Sequence, residues 1–137
     1  MLTHLKAFAA GFISTLTFHQ GILGLFYVLG KFPRAPFAMN PTEPLGVPSV
    51  ISLAFWGGVW GIALWPLIRG ATGAGYWLRC VLLGAIGPSA VALFIVFPMK
   101  GMAFAAGWDP KIIVGALILN GAWGLGLGLL MPSFRKL

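Results

Sequence analysis

Few side chains here could do chemistry, and the first of them is an imidazole in an apolar run. His19 stands in Ser14-Thr15-Leu16-Thr17-Phe18-His19-Gln20, away from every charged residue. An imidazole so placed could ligate a cofactor, handle a proton, or hydrogen-bond a neighbouring helix. Thr15 lies four residues before His19, so the two share a helix face, while Gln20 points to the neighbouring face. Asn120 is the one amide in another apolar run, and Ser52 and Ser89 are hydroxyls in two more. Polar groups at membrane depth are costly and usually turn toward a bundle interior or a cavity. His19, Gln20, Asn120 and Thr15 therefore form the candidate polar mid-membrane site, with Ser52 or Ser89 as further lining.

The simplest role for these groups is interhelical hydrogen bonding, which fixes helix register. Haem ligation by two imidazoles needs a second histidine. The other one, His4, lies on the same helix about four turns away. One chain cannot make that pair, although two copies could pair their His19 rings. The stretch Thr15-x-x-x-His19-x-x-x-Leu23 resembles the pigment-ligating pattern of bacterial light-harvesting polypeptides, which prefers alanine at its first position. The resemblance covers one short stretch of one helix and would make His19 a pigment ligand. No cofactor is expected from the residues themselves.

The two acids, Glu43 and Asp109, sit in different polar connections and are expected to meet Arg34, Lys100 or Lys111. No nucleophile motif, zinc-ligand spacing, phosphate loop or dinucleotide fingerprint occurs, so neither a metal site nor catalysis by this chain alone is expected. Cys80 lies in an apolar run and reads as a small buried residue.

Positioning these groups falls to the apolar runs. Apolar residues make up 59% of the chain and charged residues 8%, against roughly 45–50% and about 25% in soluble domains. Eleven charges cannot clothe a soluble surface, whereas a lipid-facing surface needs none. The formal charge of +7 comes from Lys and Arg scattered singly. That pattern fits helix ends meeting lipid headgroups and gives no basic stripe for nucleic acid.

A helix needs roughly 20 residues to cross about 30 Å of hydrocarbon. Four runs qualify, at about 7–30, 47–68, 76–97 and 112–131. Every charge lies outside these runs or at their very ends. The first run is too long for a cleaved signal and reads as a span that stays. The fold class expected is an all-α integral membrane protein, a four-transmembrane-helix bundle forming a single domain over 1–137. The connection at 31–46 holds prolines at 33, 36, 41 and 44 and cannot be a regular helix. The connection after Arg69 is short and glycine-rich, so the second and third spans are expected to be adjacent and antiparallel. Trp65, Tyr76 and Trp77 near one end, and Tyr27 and Trp108 near the other, are read as interfacial aromatics.

The halves 1–70 and 71–137 resemble each other. Gly58-Val59-Trp60-Gly61-Ile62-Ala63-Leu64 and Gly121-Ala122-Trp123-Gly124-Leu125-Gly126-Leu127 both fit G-x-W-G-x-x-L, and a proline and then a basic residue follow each. Phe32-Pro33 echoes Phe97-Pro98, and Phe37-Ala38 echoes Phe104-Ala105. The expectation is two tandem helical hairpins in parallel repeat, with Trp60 and Trp123 as paired aromatics. Gly57-x-x-x-Gly61 and Gly124-x-x-x-Gly128 are expected to let helix backbones approach closely.

These features lead to a small non-catalytic integral membrane protein, an accessory or scaffold subunit of a membrane complex. A small oligomeric channel or transporter with a polar mid-membrane site is the alternative, and a cofactor-binding protein using His19 the third reading. Expected partners are membrane lipids, with a homo-oligomer or other membrane subunits, and no nucleic acid. The chain resembles small four-span proteins of bacterial inner membranes in general, which places it there as a multi-pass protein. Five Lys and Arg on the side of the termini against four on the other favour cytoplasmic termini.

Overall fold

A computed structural model of the chain describes residues 2–135. Four helices carry it, each long and apolar enough to cross a membrane: α1 (Leu2–Val28), α2 (Ser49–Ile68), α3 (Gly73–Met99) and α4 (Pro110–Arg135). Helices α1, α3 and α4 each run past one or both limits of the apolar run expected for them, while α2 lies within its run. Lys6 and Arg79 thus lie within the first two turns of α1 and α3. Lys136 lies outside the described residues.

Less than two fifths of each helix's most apolar stretch is buried within the chain. Leu78, Leu82 and Ile86 follow one another at four-residue spacing along α3, and each is more than half exposed. A soluble surface rarely carries such continuous apolar stripes.

Glycine decides how the helices pack. Gly61 of α2 lies against the Ala7 carbonyl and the Gly11 Cα of α1. Gly124 of α4 lies against the Cys80 carbonyl and the Gly84 Cα of α3. Gly57 faces Gly11 and Thr15, and Gly128 faces Cys80 and Trp77. All four glycines marked in the sequence sit on seams where a side chain would strike a neighbour. A third seam joins α1 to α4, where Gly126 lies under Ser14 and Phe18. The core spans these seams, with Ala7, Ala10, Leu64, Trp65, Ile68, Cys80, Trp123, Leu127 and Met131 buried together.

The order of packing differs from the expectation for α2 and α3. They run antiparallel and are joined by four residues, 69–72. The tightest contacts, however, lie between α1 and α2, α3 and α4, and α1 and α4. No glycine seam joins α2 to α3. They meet through bulky aromatics, Trp65 edge-on to Tyr76 at 6.2 Å and Trp60 over Gly87, so their axes stay apart. Trp65 is therefore a core residue, only 3% exposed. Trp108 and Tyr27 are exposed.

Helix α2 has 20 residues where α1 and α3 have 27 each. The connection between α1 and α2 fills the place of the missing turns. Its Phe32 ring packs on Gly115 of α4 and edge-on to Phe26 of α1, and Pro36 covers Gly24. It closes with a two-residue antiparallel pairing, Pro41–Thr42 against Val47–Pro48. The other long connection turns through Phe104–Trp108, where Ala105, Ala106, Gly107 and Trp108 all take positive φ. Phe97-Pro98 falls in the last helical turn of α3, whereas Phe32-Pro33 lies beyond the end of α1. The two Phe-Pro dipeptides are thus not in corresponding places, because α3 stays helical through its proline.

Candidate functional site

The polar residues within the four long helices fall into three separate groups. The first lies on α1 where it crosses α2 and α4. Ser14 Oγ donates to the Trp123 carbonyl at 2.6 Å, and Trp123 Nε1 donates to the Gly11 carbonyl at 3.0 Å. Thr15 Oγ1 donates to that same carbonyl at 2.9 Å. This carbonyl is reachable because Gly11 and Gly57 have no side chains to cover it. The hydroxyls of Ser14 and Thr15 are both fully buried. Two reciprocal bonds across one crossing fix the register of α1 against α4.

The second group begins one turn further along. Residues Thr15–His19 form a π-helical turn inside α1, a widening often found at functional sites. Gln20 follows it and is buried. Its Oε1 accepts the Phe37 backbone N–H at 2.7 Å, and its Nε2 lies 3.0 Å from His19 Nδ1. Gln20 stands eight residues before the end of α1, about 12 Å along the axis. The connection is thus tied to a side chain well below the helix end. Phe37 itself sits at φ 58°, a conformation a bulky residue rarely takes. The bond to Gln20 is one contact that offsets the cost.

The third group joins α3 to α4. Asn120 Nδ2 donates to the buried Ser89 Oγ at 2.9 Å. Further toward the termini, Tyr76 Oη donates to the Gly128 carbonyl at 2.7 Å. That carbonyl is four residues before Pro132, which has no N–H to offer it. Tyr76 supplies the missing donor. A second π turn, Ala92–Val96, interrupts α3 four residues beyond Pro88.

His19 and Gln20 are therefore brought together, Thr15 is turned to Gly11, and Asn120 is paired with Ser89. Trp123 is buried in a bonded lock, while Trp60 is half-buried over Gly87. Asp109 acts as a helix cap, its Oδ1 accepting the Lys111 backbone N–H at 3.0 Å, with Pro110 at the first helical position. Among the described residues no three His, Cys, Asp or Glu side chains gather.

Sequence reasoning missed Ser14, Gly11, Gly84 and the Trp123 indole as structural partners. A signal existed for the glycines: Ala7-x-x-x-Gly11 and Cys80-x-x-x-Gly84 are small-residue pairs at the same spacing as the glycine pairs they meet. The tie between Gln20 and Phe37 had none, since it depends on how the connection folds. No protein-family model, curated protein or solved structure matches the chain.

Proposed function

We propose that this chain is a non-catalytic integral membrane protein that serves as an accessory or scaffold subunit of a membrane complex. The observation that carries the reading is how its polar side chains within the helices are used. Ser14, Thr15, Gln20, Ser89, Asn120, Tyr76 and Trp123 all bond within the chain. Each such bond holds one helix to another, to a connection, or to its own backbone. A bundle held in this way presents a rigid, mainly apolar exterior, which suits association with lipid and with other membrane helices.

The four helices lie across a bilayer in this reading, with both termini in the cytoplasm and the membrane the bacterial inner (cytoplasmic) membrane. The two hairpins form a parallel repeat. Support comes from matched seams. Gly58 and Gly61 meet Phe8, Ala7 and Gly11, while Gly121 and Gly124 meet Val81, Cys80 and Gly84. The spacing within each set is the same, so one hairpin design serves twice.

The test is gentle extraction of the tagged protein from its own membranes, followed by the mass of the intact particle. Unrelated subunits at fixed stoichiometry are the expected result. A particle containing this chain alone would refute the subunit reading.

A second reading, a small oligomeric channel or transporter, is favoured by one observation. Two of the four helices carry a π turn, and one of these holds His19. It requires that His19→Ala abolish flux in reconstituted vesicles while the fold survives; unchanged flux would discard it.

A further inference from the structure

Helix α2 ends at Ile68, and its last carbonyls have no helical donor ahead of them. The Ala71 N–H, which would reach Leu67 in a continuing helix, donates to the Ile68 carbonyl instead at 3.0 Å. The Leu67 carbonyl is capped from the next helix, where Arg79 Nη1 donates to it at 3.0 Å. That bond stations the Arg79 charge over the end of α2. Arg69 stands two residues beyond Leu67, so their Cα atoms are at most about 7.6 Å apart. Both arginines are exposed. Among the described residues neither has a carboxylate partner, since Glu43 and Asp109 lie in the connections at the opposite end of the bundle. One N–H of the pair is committed to Leu67, and the others form forks of donors suited to a phosphate.

Beside this pair an apolar furrow runs between α2 and α3. The Trp60 ring lies 3.2 Å from the point where a Gly87 Cβ would stand, so the face of α2 that bears Trp60 points toward α3. Trp56, Ala63 and Leu67 share that face at helical spacing. All three are exposed, Trp56 and Leu67 by more than half, so α3 does not close the space alongside Trp60. On α3, Leu82 and Ile86 follow Arg79 at three- and seven-residue spacing, on the side that Arg79 turns to α2. Each is more than half exposed. From Leu67 to Trp56 is eleven residues, about 16 Å along the axis. That is the depth of one leaflet, half of about 30 Å of hydrocarbon.

We propose that the turn between α2 and α3 and the furrow beside it seat one anionic phospholipid. Arg69 and Arg79 hold its phosphate, and an acyl chain lies along Trp60, Leu82 and Ile86. Charge selects the headgroup, because this end of the bundle offers cations without a carboxylate to neutralise them. Width selects the tail. A helix is about 10 Å across with its side chains and cannot enter a gap that Trp60 bridges, whereas a single hydrocarbon chain can. The inference rests on the four helices lying in a bilayer and is independent of the subunit reading.

The experiment uses the full chain in discs of phosphatidylcholine, and recovery of folded protein in them tests the bilayer placement by itself. Phosphatidylglycerol with brominated acyl chains is then titrated in while tryptophan fluorescence is followed. Quenching should saturate at a low fraction of that lipid, whereas brominated phosphatidylcholine should quench only in proportion to its amount. Arg69→Gln leaves the cap on Leu67 intact and should raise the half-saturating fraction about fivefold. Adding Arg79→Gln should raise it further by a similar factor. Lys31→Gln with Lys100→Gln removes two exposed charges at the opposite end and should leave the curve unchanged. Ala63→Phe fills the furrow, keeps both arginines and should abolish the saturable component. Equal quenching by the two lipids overturns the proposal, as does an Arg69→Gln curve that matches the wild type. An equal shift in the lysine variant would mean diffuse attraction and no site. An unchanged curve in Ala63→Phe would remove the furrow from the account. Loss of the saturable component on adding inorganic phosphate would make the arginines a site for the free ion and overturn the lipid assignment.

Discussion

Replacing Gly124 by alanine places a methyl group against the Cys80 carbonyl and within 3.2 Å of the Gly84 Cα. The obstacle is backbone on both sides, so no side chain can swing aside. Overpacking of this kind costs about 1–3 kcal/mol, and a backbone obstacle puts it near 3. Alanine recovers about 1 kcal/mol of helix propensity over glycine. The net loss is about 2 kcal/mol, a factor of roughly 30 in the folded-to-unfolded ratio. Gly121→Ala is the control, one turn away on the same helix. Its methyl would meet the Ala85 Cβ and Val81 Cγ1 at 3.6 Å, ordinary contact. It should be neutral or stabilising by up to about 1 kcal/mol. Reversible unfolding in mixed bicelles with rising SDS, followed by tryptophan fluorescence, measures both. Equal stability of Gly124→Ala and Gly121→Ala would refute the seam. The repeat makes a matched demand, because Gly61→Ala meets the Ala7 carbonyl as Gly124→Ala meets that of Cys80. A Gly61→Ala loss far from that of Gly124→Ala would count against two equivalent hairpins.

Three further substitutions read the polar bonds. Tyr76→Phe leaves the Gly128 carbonyl without its donor and should cost about 1 kcal/mol. In a Pro132→Ala background a backbone N–H is restored to that carbonyl, so a double-mutant cycle should show coupling of similar size; additive effects would deny that Tyr76 compensates for the proline. Trp123→Phe removes the donor to the Gly11 carbonyl and should cost about 0.6–1.7 kcal/mol in the same unfolding assay, the range of interhelical bonds in membranes. A loss indistinguishable from zero would mean the indole bond holds nothing. Gln20→Met frees the Phe37 amide and should speed trypsin cleavage after Arg34 while leaving unfolding of the helices nearly unchanged. An unaltered cleavage rate would show that the connection is held elsewhere.

Much of the architecture was legible in the pattern of hydropathy and charge. Four apolar runs with charges at their ends leave little choice but four helices. Gly57, Gly61, Gly124 and Gly128 could be marked as packing residues because small residues at four-residue spacing present bare backbone. What sequence could not supply was the partner of each group. Asn120 could have faced His19, yet it pairs with Ser89, since Gly84 and Gly124 draw α3 and α4 together at that depth. A short connection suggested close packing of α2 and α3, but Trp60, Trp65 and Tyr76 fill the space between them. Glycine on one side of a helix says more about adjacency than loop length does. The Gln20–Phe37 tie is the least legible feature, because it depends on a proline-rich segment whose path no periodicity encodes.

The claim that the polar groups inside the bundle hold helices and line no aqueous path can be tested with thiol chemistry. Cys80 is the chain's single cysteine and is fully buried. A membrane-impermeant maleimide is applied to protein in bilayer discs, using the wild type, Ser89→Cys, and Arg34→Cys in the exposed connection. The account predicts that Arg34→Cys reacts at once, and that Cys80 and the cysteine of Ser89→Cys stay unlabelled until SDS unfolds the bundle. Labelling of either buried thiol in the folded protein at the rate of the exposed one would contradict it.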